Sequence, residues 1–118
     1  MSIESQILLS NVTSESVDSS LQYGSKSKGA GFNQTNNGLH TAVYVVNAFS
    51  GSIKIQGTLE MYPAESDWFD ILGTEIGGDS TISTSETTYT TNFTGNFVWI
   101  RAAYNLQNGT IVSVRYNY

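Results

Sequence analysis

The chain has 118 residues, enough to bury a core without disulfides or a structural metal, and it reads as one β-sandwich domain over residues 1–118. It has no cysteine, which excludes a disulfide framework and thiolate metal sites. A net charge of -5 with only five Lys and Arg excludes the basic footprint of a nucleic-acid backbone binder.

The first residues, MSIESQILLSNV, lack a basic stretch and a long apolar run, so neither a signal peptide nor a membrane span is expected. The expectation is synthesis and folding in a reducing cytoplasm, with no membrane partner. Sequons at Asn11, Asn33, Asn92 and Asn108 follow from a composition rich in Asn, Ser and Thr, and glycosylation is given little weight. That composition also disfavours long helices, and no window carries an apolar stripe at i, i+3, i+4, i+7.

Period-2 runs appear instead. Strands are predicted over 6–12 and 20–23, followed by a long Gly-rich loop over 24–37. GLHTAVYVVNAF, at 38–49, is apolar on both faces around Val43 to Val46 and predicts a central strand covered on both sides. GSIKIQGTLEMY places Ile53, Ile55, Gly57, Leu59 and Met61 on one face and Lys54, Gln56, Thr58 and Glu60 on the other, a half-buried strand. YPAESDWFD then carries the lone proline, Pro63, and the acids Glu65, Asp67 and Asp70 into a loop between strands. Further strands are predicted over 68–74, 87–92, 96–104 and 110–118. The sum is an all-β protein, an antiparallel β-sandwich of about eight strands with jelly-roll-like connections.

The last two predicted strands raise a question of register. A three-residue turn at Gln107, Asn108 and Gly109, with Gly109 left-handed, pairs Ala102 with Val114 and Ile100 with Tyr116 on one apolar face. The other face then holds Phe97, Trp99 and Arg101, with Trp99 opposite Asn117 and Arg101 opposite Arg115. Two arginines face to face are unfavourable without an intervening acid. The cover is expected from the protein's own acids, a neighbouring subunit or an anionic ligand, which makes Phe97, Trp99, Arg101, Arg115 and Asn117 the predicted interface or anion-binding face.

Catalytic chemistry finds little support. His40 is the only histidine, so no His-based triad or His-pair metal site is available within one chain, and a hydrogen-bonded place at a strand end is expected for it. Glu65, Asp67 and Asp70 lack the spacing of a calcium loop, and Glu60 with Asp67 or Asp70 is the only carboxylate pair for glycoside hydrolysis. Gly29, Gly31, Gly77 and Gly78 form no phosphate loop. No catalytic residue, metal or cofactor is expected. Tyr62, Trp68, Trp99, Tyr104, Tyr116 and Tyr118 could stack on sugar rings, but aromatics also fill sandwich cores and interfaces, and that use is favoured.

Three segments, GLHTAVYVVNAFSGSIKIQGTLEMYP, SDWFDI and NFTGNFVWIRAAYNLQNGTIVSV, taken in that order, resemble small uncharacterised proteins of T-even-type tailed phages of marine bacteria and related marine metagenomic sequences. The run from an I-Q-G strand through a Trp corner to an aromatic-Ile-Arg strand also resembles galactose-binding-like jelly rolls of the discoidin type. Their disulfide and long loops are missing, and their ligand residues find no counterparts here. The phage resemblance implies a virion location and a non-enzymatic accessory or decoration role through protein–protein contacts, as a homo-oligomer and with other virion proteins. The alternative is a carbohydrate-binding module for host-surface glycan that uses Tyr62, Trp68, Asp67 and Asp70.

Overall fold

A computed structural model describes residues 6–13, 22–29, 39–81 and 85–117. Eight strands are described: β1 Gln6–Thr13, β2 Gln22–Tyr23, β3 Ser27–Lys28, β4 Leu39–Thr58, β5 Phe69–Asp70, β6 Ile76–Thr81, β7 Glu86–Thr94 and β8 Trp99–Asn117. All the pairings are antiparallel, so the fold is the all-β, antiparallel, sandwich-like class that the alternation indicates.

The frame is one long pair. β4 and β8 run side by side from Thr41 opposite Asn117 to Thr58 opposite Trp99, with register shifts between Val45 and Gly51. On the far side of β8 lie β1, β2 and β3, which pair in turn with its C-terminal and N-terminal halves. On the far side of β4 lie β7, β6 and β5, ordered along it in the same way. Each flank is therefore a succession of short strands alongside one long one.

The shifts turn the sheet. In β4 the inward apolar side chains, each fully buried, include Ala42, Tyr44 and Val46 before the bend and Ile53 and Ile55 after it, so the inward parity changes from even to odd. In β8, Ile100, Ala102 and Leu106 are buried on one side of the bend and Ile111, Val114 and Tyr116 on the other. A bulge that adds a residue to one strand produces this switch and bends the sheet, so both halves turn the same face inward. Gly109, with φ of 87°, sits at the crossing, where a Cβ would lie 2.2 Å from the Ala48 carbonyl oxygen. Ala48 itself is left-handed, at φ of 50°.

The two inner faces meet in one core that holds Leu8, Tyr44, Ile55, Phe93, Phe97, Ile100 and Tyr116 among others. Closure is visible in side chains that reach from half to half. Tyr44, early in β4, donates from its hydroxyl to the Thr74 carbonyl at 2.6 Å, while the Thr74 hydroxyl takes the Ile55 N–H at 3.0 Å. Tyr116, late in β8, donates to the Lys28 carbonyl beside the start of β8. His40 stacks on Phe93 at 4.7 Å and lies 5.8 Å from Phe97, with no exposed surface. Burial holds the Tyr44 hydroxyl in its protonated form by pushing its pKa far up.

Three expectations change. The turn at 107–109 does not form; Gly109 is left-handed as expected, but it serves a bend within one continuous strand, so Ala102 pairs with Ile55 and Val114 with Tyr44. Part of the predicted 24–37 loop is β3, and β6 was not predicted at all. The outward face of the 51–62 segment is not solvated: Gln56 and Thr58 are 8% and 0% exposed, whereas Leu59 and Met61, placed inside by parity, are 62% and 44% exposed because the strand stops at Thr58. Residues 30–37, Ser20, Leu21 and Tyr118 lie outside the described residues.

Gly109→Ala combines a left-handed backbone with a backbone clash and is expected to lower stability by roughly 2–3 kcal/mol in urea unfolding. Tyr44→Phe strands the Thr74 carbonyl in the core, and the expected loss is about 1–2 kcal/mol in the same assay. Unchanged midpoints would contradict the bend and closure described above.

Candidate functional site

The outward face of the half made by the end of β4 and the start of β8 carries the densest polar chemistry. Arg101 points outward from β8, opposite Gln56, and is 6% exposed. Its Nε donates to Gln56 Oε1 at 2.8 Å. Its Nη1 and Nη2 donate to Glu65 Oε1 and Oε2 at 3.0 and 2.9 Å, a bidentate ion pair. The guanidinium carbon lies over two rings, 3.8 Å from the Tyr23 centroid and 4.3 Å from the Trp68 centroid. Planarity and weak hydration suit guanidinium, and not ammonium, to this slot.

The chain supplies the slot from three places. Tyr23 comes from β2, next to β8; Gln56 comes from β4; Glu65 and Trp68 come from the segment that follows β4. That segment is shaped locally by Asp67, whose carboxylate accepts the Ala64 N–H at 2.8 Å while its own N–H donates to the Ala64 carbonyl at 3.0 Å. The result is a single 3-10 turn over Glu65–Asp67. Trp99 fastens the same segment by donating from Nε1 to the Met61 carbonyl at 2.8 Å, and Lys26 lies over its ring at 4.6 Å.

The network continues through Gln56, whose Nε2 donates to Asp70 Oδ1 at 2.9 Å. Lys54 Nζ donates to the other oxygen of Asp70 at 3.0 Å. Lys54, Asp70, Gln56, Arg101 and Glu65 thus form one chain of hydrogen bonds, with both carboxylates used. The Arg101 hydrogen bonds hold the Glu65 carboxyl below its ordinary pKa. Those from Gln56 first, and then Lys54, do the same for Asp70.

The predicted five-residue face is accordingly split. Phe97 is in the core, 9% exposed and 5.8 Å from Phe69. Trp99 and Arg101 are on the outer face of one half. Arg115 and Asn117 are on the other half, opposite Val43 and Thr41 across β4. Arg101 and Arg115 do not face each other, because they occupy opposite ends of one strand rather than two arms of a hairpin. The acid that covers Arg101 is the protein's own Glu65. Of the predicted glycan residues, Trp68 has one ring face against Arg101, Asp70 has both oxygens engaged and Asp67 shapes its own turn, while Tyr62 is 91% exposed. Among the described residues no group of three or more His, Asp or Glu is placed to hold a metal ion.

Sequence reasoning missed a second feature. Leu59, Met61, Tyr62, Phe69 and Leu72 are 62%, 44%, 91%, 41% and 94% exposed. All five lie around the C-terminal end of β4, where Gly57 pairs with Phe69 and Thr58 with Trp99. Beside Phe69 and Leu72 runs a groove floored by Phe93 and Phe97 and edged by Asn92 and Thr94. The polar network buries the flat of the sheet, and the apolar groups remain at its end. Comparison with protein-family models and with curated proteins finds no match for this chain.

Both carboxylates have lowered pKa values in the folded state, so their stabilisation is present above the ordinary carboxylate range and is lost as pH falls through the lowered values. Unfolding midpoints are expected to stay level from neutral pH to about pH 5 and to drop below about pH 4, with a shallower drop in Glu65→Gln. Arg101→Lys keeps the charge but loses the bidentate geometry and both stacks; urea unfolding is expected to show a loss of about 1–2 kcal/mol.

Proposed function

We propose that this chain is a non-enzymatic structural protein of a phage particle, of the accessory or decoration kind, that works by protein–protein contact through the end built from residues 59–72. The observation that supports the contact role is the exposure of Leu59, Met61, Tyr62, Phe69 and Leu72 together. At about 200 Å² for a large side chain, those fractions amount to roughly 650 Å² of apolar-residue surface, close to the ~800 Å² that one partner gives to a standard interface. That much apolar exposure on neighbouring segments of one end favours an interaction surface. The phage setting rests on the sequence resemblance described above.

The charged groups of the adjoining face support the same division of labour. Arg101, Glu65, Lys54 and Asp70 satisfy one another, so they hold the 59–68 segment on the sheet and leave its apolar side chains presented on a firm base. Glycan recognition is the second reading, and the exposed ring of Tyr62 favours it.

Mass spectrometry of purified phage particles is expected to find the chain in stoichiometric amounts, and the double substitution Tyr62→Ser with Leu72→Ser is expected to strip it from the particles while leaving its unfolding curve in place. Absence of the wild-type chain from particles would end the virion reading. A glycan array with hits that vanish in Tyr62→Ala would instead favour the sugar module.

A further inference from the structure

We infer that the outer edge of β7 is a self-association surface, at which two copies of this chain pair β7 with β7 about a two-fold axis and join their sheets. This goes beyond the contact role of the 59–72 end and stands on a different strand. β7 pairs with β4 over all nine of its residues in one unbroken register, from Glu86 opposite Asn47 to Thr94 opposite Leu39. Among the described residues no strand pairs with its other side. Alternate backbone N–H and C=O groups on that side point away from β4, a ready template for one more strand. The other edges are blunted. β1 carries a bulge between Ile7 and Leu9 and a left-handed Asn11, while β2, β3 and β5 have two residues each. β6 shifts its register beside the left-handed Gly77. β7, with the sequence ETTYTTNFT, has no bulge, proline, lysine or arginine to keep another strand off.

The sequence of the strand is complementary to itself. Side-chain parity makes an outward residue meet an outward residue, so the two-fold axis passes through a facing pair, and centring it on Thr90 uses the full length of the strand. Thr90 then faces the partner's Thr90, Thr88 faces the partner's Asn92 and Glu86 faces the partner's Thr94. These are hydroxyl, amide and carboxylate pairs along a row that is exposed throughout, and cross-strand pairs of this kind stabilise a sheet. Glu86 is the only charged residue of the strand, and the axis places its two copies about 27 Å apart, far beyond the ~8 Å screening length at physiological salt. Every contact is reciprocal, so the pairing closes at two copies, and the distorted β1 edge offers no straight strand on which a further copy could add.

The test is sedimentation of the full chain over a range of concentrations, with charge introduced at the facing pair. The wild-type chain is expected to form a dimer. Thr90→Lys and Thr90→Glu, each at an exposed side chain, are expected to weaken that dimer at least about tenfold with an unchanged far-ultraviolet circular dichroism spectrum, and an equimolar mixture of the two is expected to restore the dimer mass. Thr88→Lys with Asn92→Glu in one chain creates two opposite-charge pairs in this register and is expected to tighten the dimer. A monomer at every concentration, or species that grow beyond two copies, would overturn the inference, as would a dimer indifferent to charge at Thr90. A dimer that Leu72→Ser dissolves and Thr90→Lys leaves intact would move the self-contact to the 59–72 end and overturn the β7 pairing.

Discussion

Strands of 20 and 19 residues paired along almost their whole length accumulate twist, and a flat sheet of that length would leave both faces wet. The β4–β8 pair resolves this by bending near its middle, where the register shifts and Gly109 approaches the Ala48 carbonyl. Every other strand depends on that bend. β1 and β7 flank the pair on one side of it, and β2, β3, β5 and β6 flank it on the other, so the bend decides which of them share a core. The Tyr44–Thr74 and Tyr116–Lys28 hydrogen bonds then join parts of the chain that a straight pair would hold far apart.

The Arg101 assembly follows from this geometry. Outside the core, one half of the folded sheet is too broad for the side chains of its own strands to cover, and the segment after β4 lies across it. Arg101 joins the two through contacts with the rings of Tyr23 and Trp68 and hydrogen bonds to Gln56 and Glu65. A salt bridge with one exposed partner contributes little by itself. Here the packing of the Arg101 side chain, 6% exposed against Gln56, Tyr23 and Trp68, carries the larger share.

The sequence made the all-β class readable through alternation, and it marked the inward faces of β8 correctly at Ile100, Ala102, Val114 and Tyr116. It misled where two readings of one local signal compete. Asn108-Gly109 between alternating runs is as good a signal for a hairpin as for a bulge, and only the partner strand, distant in sequence, decides between them. The opposed arginines were an artefact of the hairpin choice, and the acid that covers Arg101 is there for a different reason: the segment after β4 brings Glu65 onto a buried guanidinium. Tyr23 carried no local sign of its role. Leu59 and Met61 continued the parity of Ile53 and Ile55, and nothing in period-2 patterning says where a strand ends. Pro63 and the acids after it were the available warning that the chain was leaving the sheet.

One consequence of the strand order concerns synthesis. β8, the last strand described, lies between β1 and β4, so the early strands have no neighbour to pair with until the final stretch of this sequence has been made. A nascent chain that has already produced β4 to β7 can form only one side of the sheet, with the inner faces of Tyr44, Ile53 and Ile55 uncovered. The abundance of Ser, Thr, Asn and Gly, and the scarcity of apolar runs beyond β4, suit a chain that has to stay dispersed while it waits for its central strand.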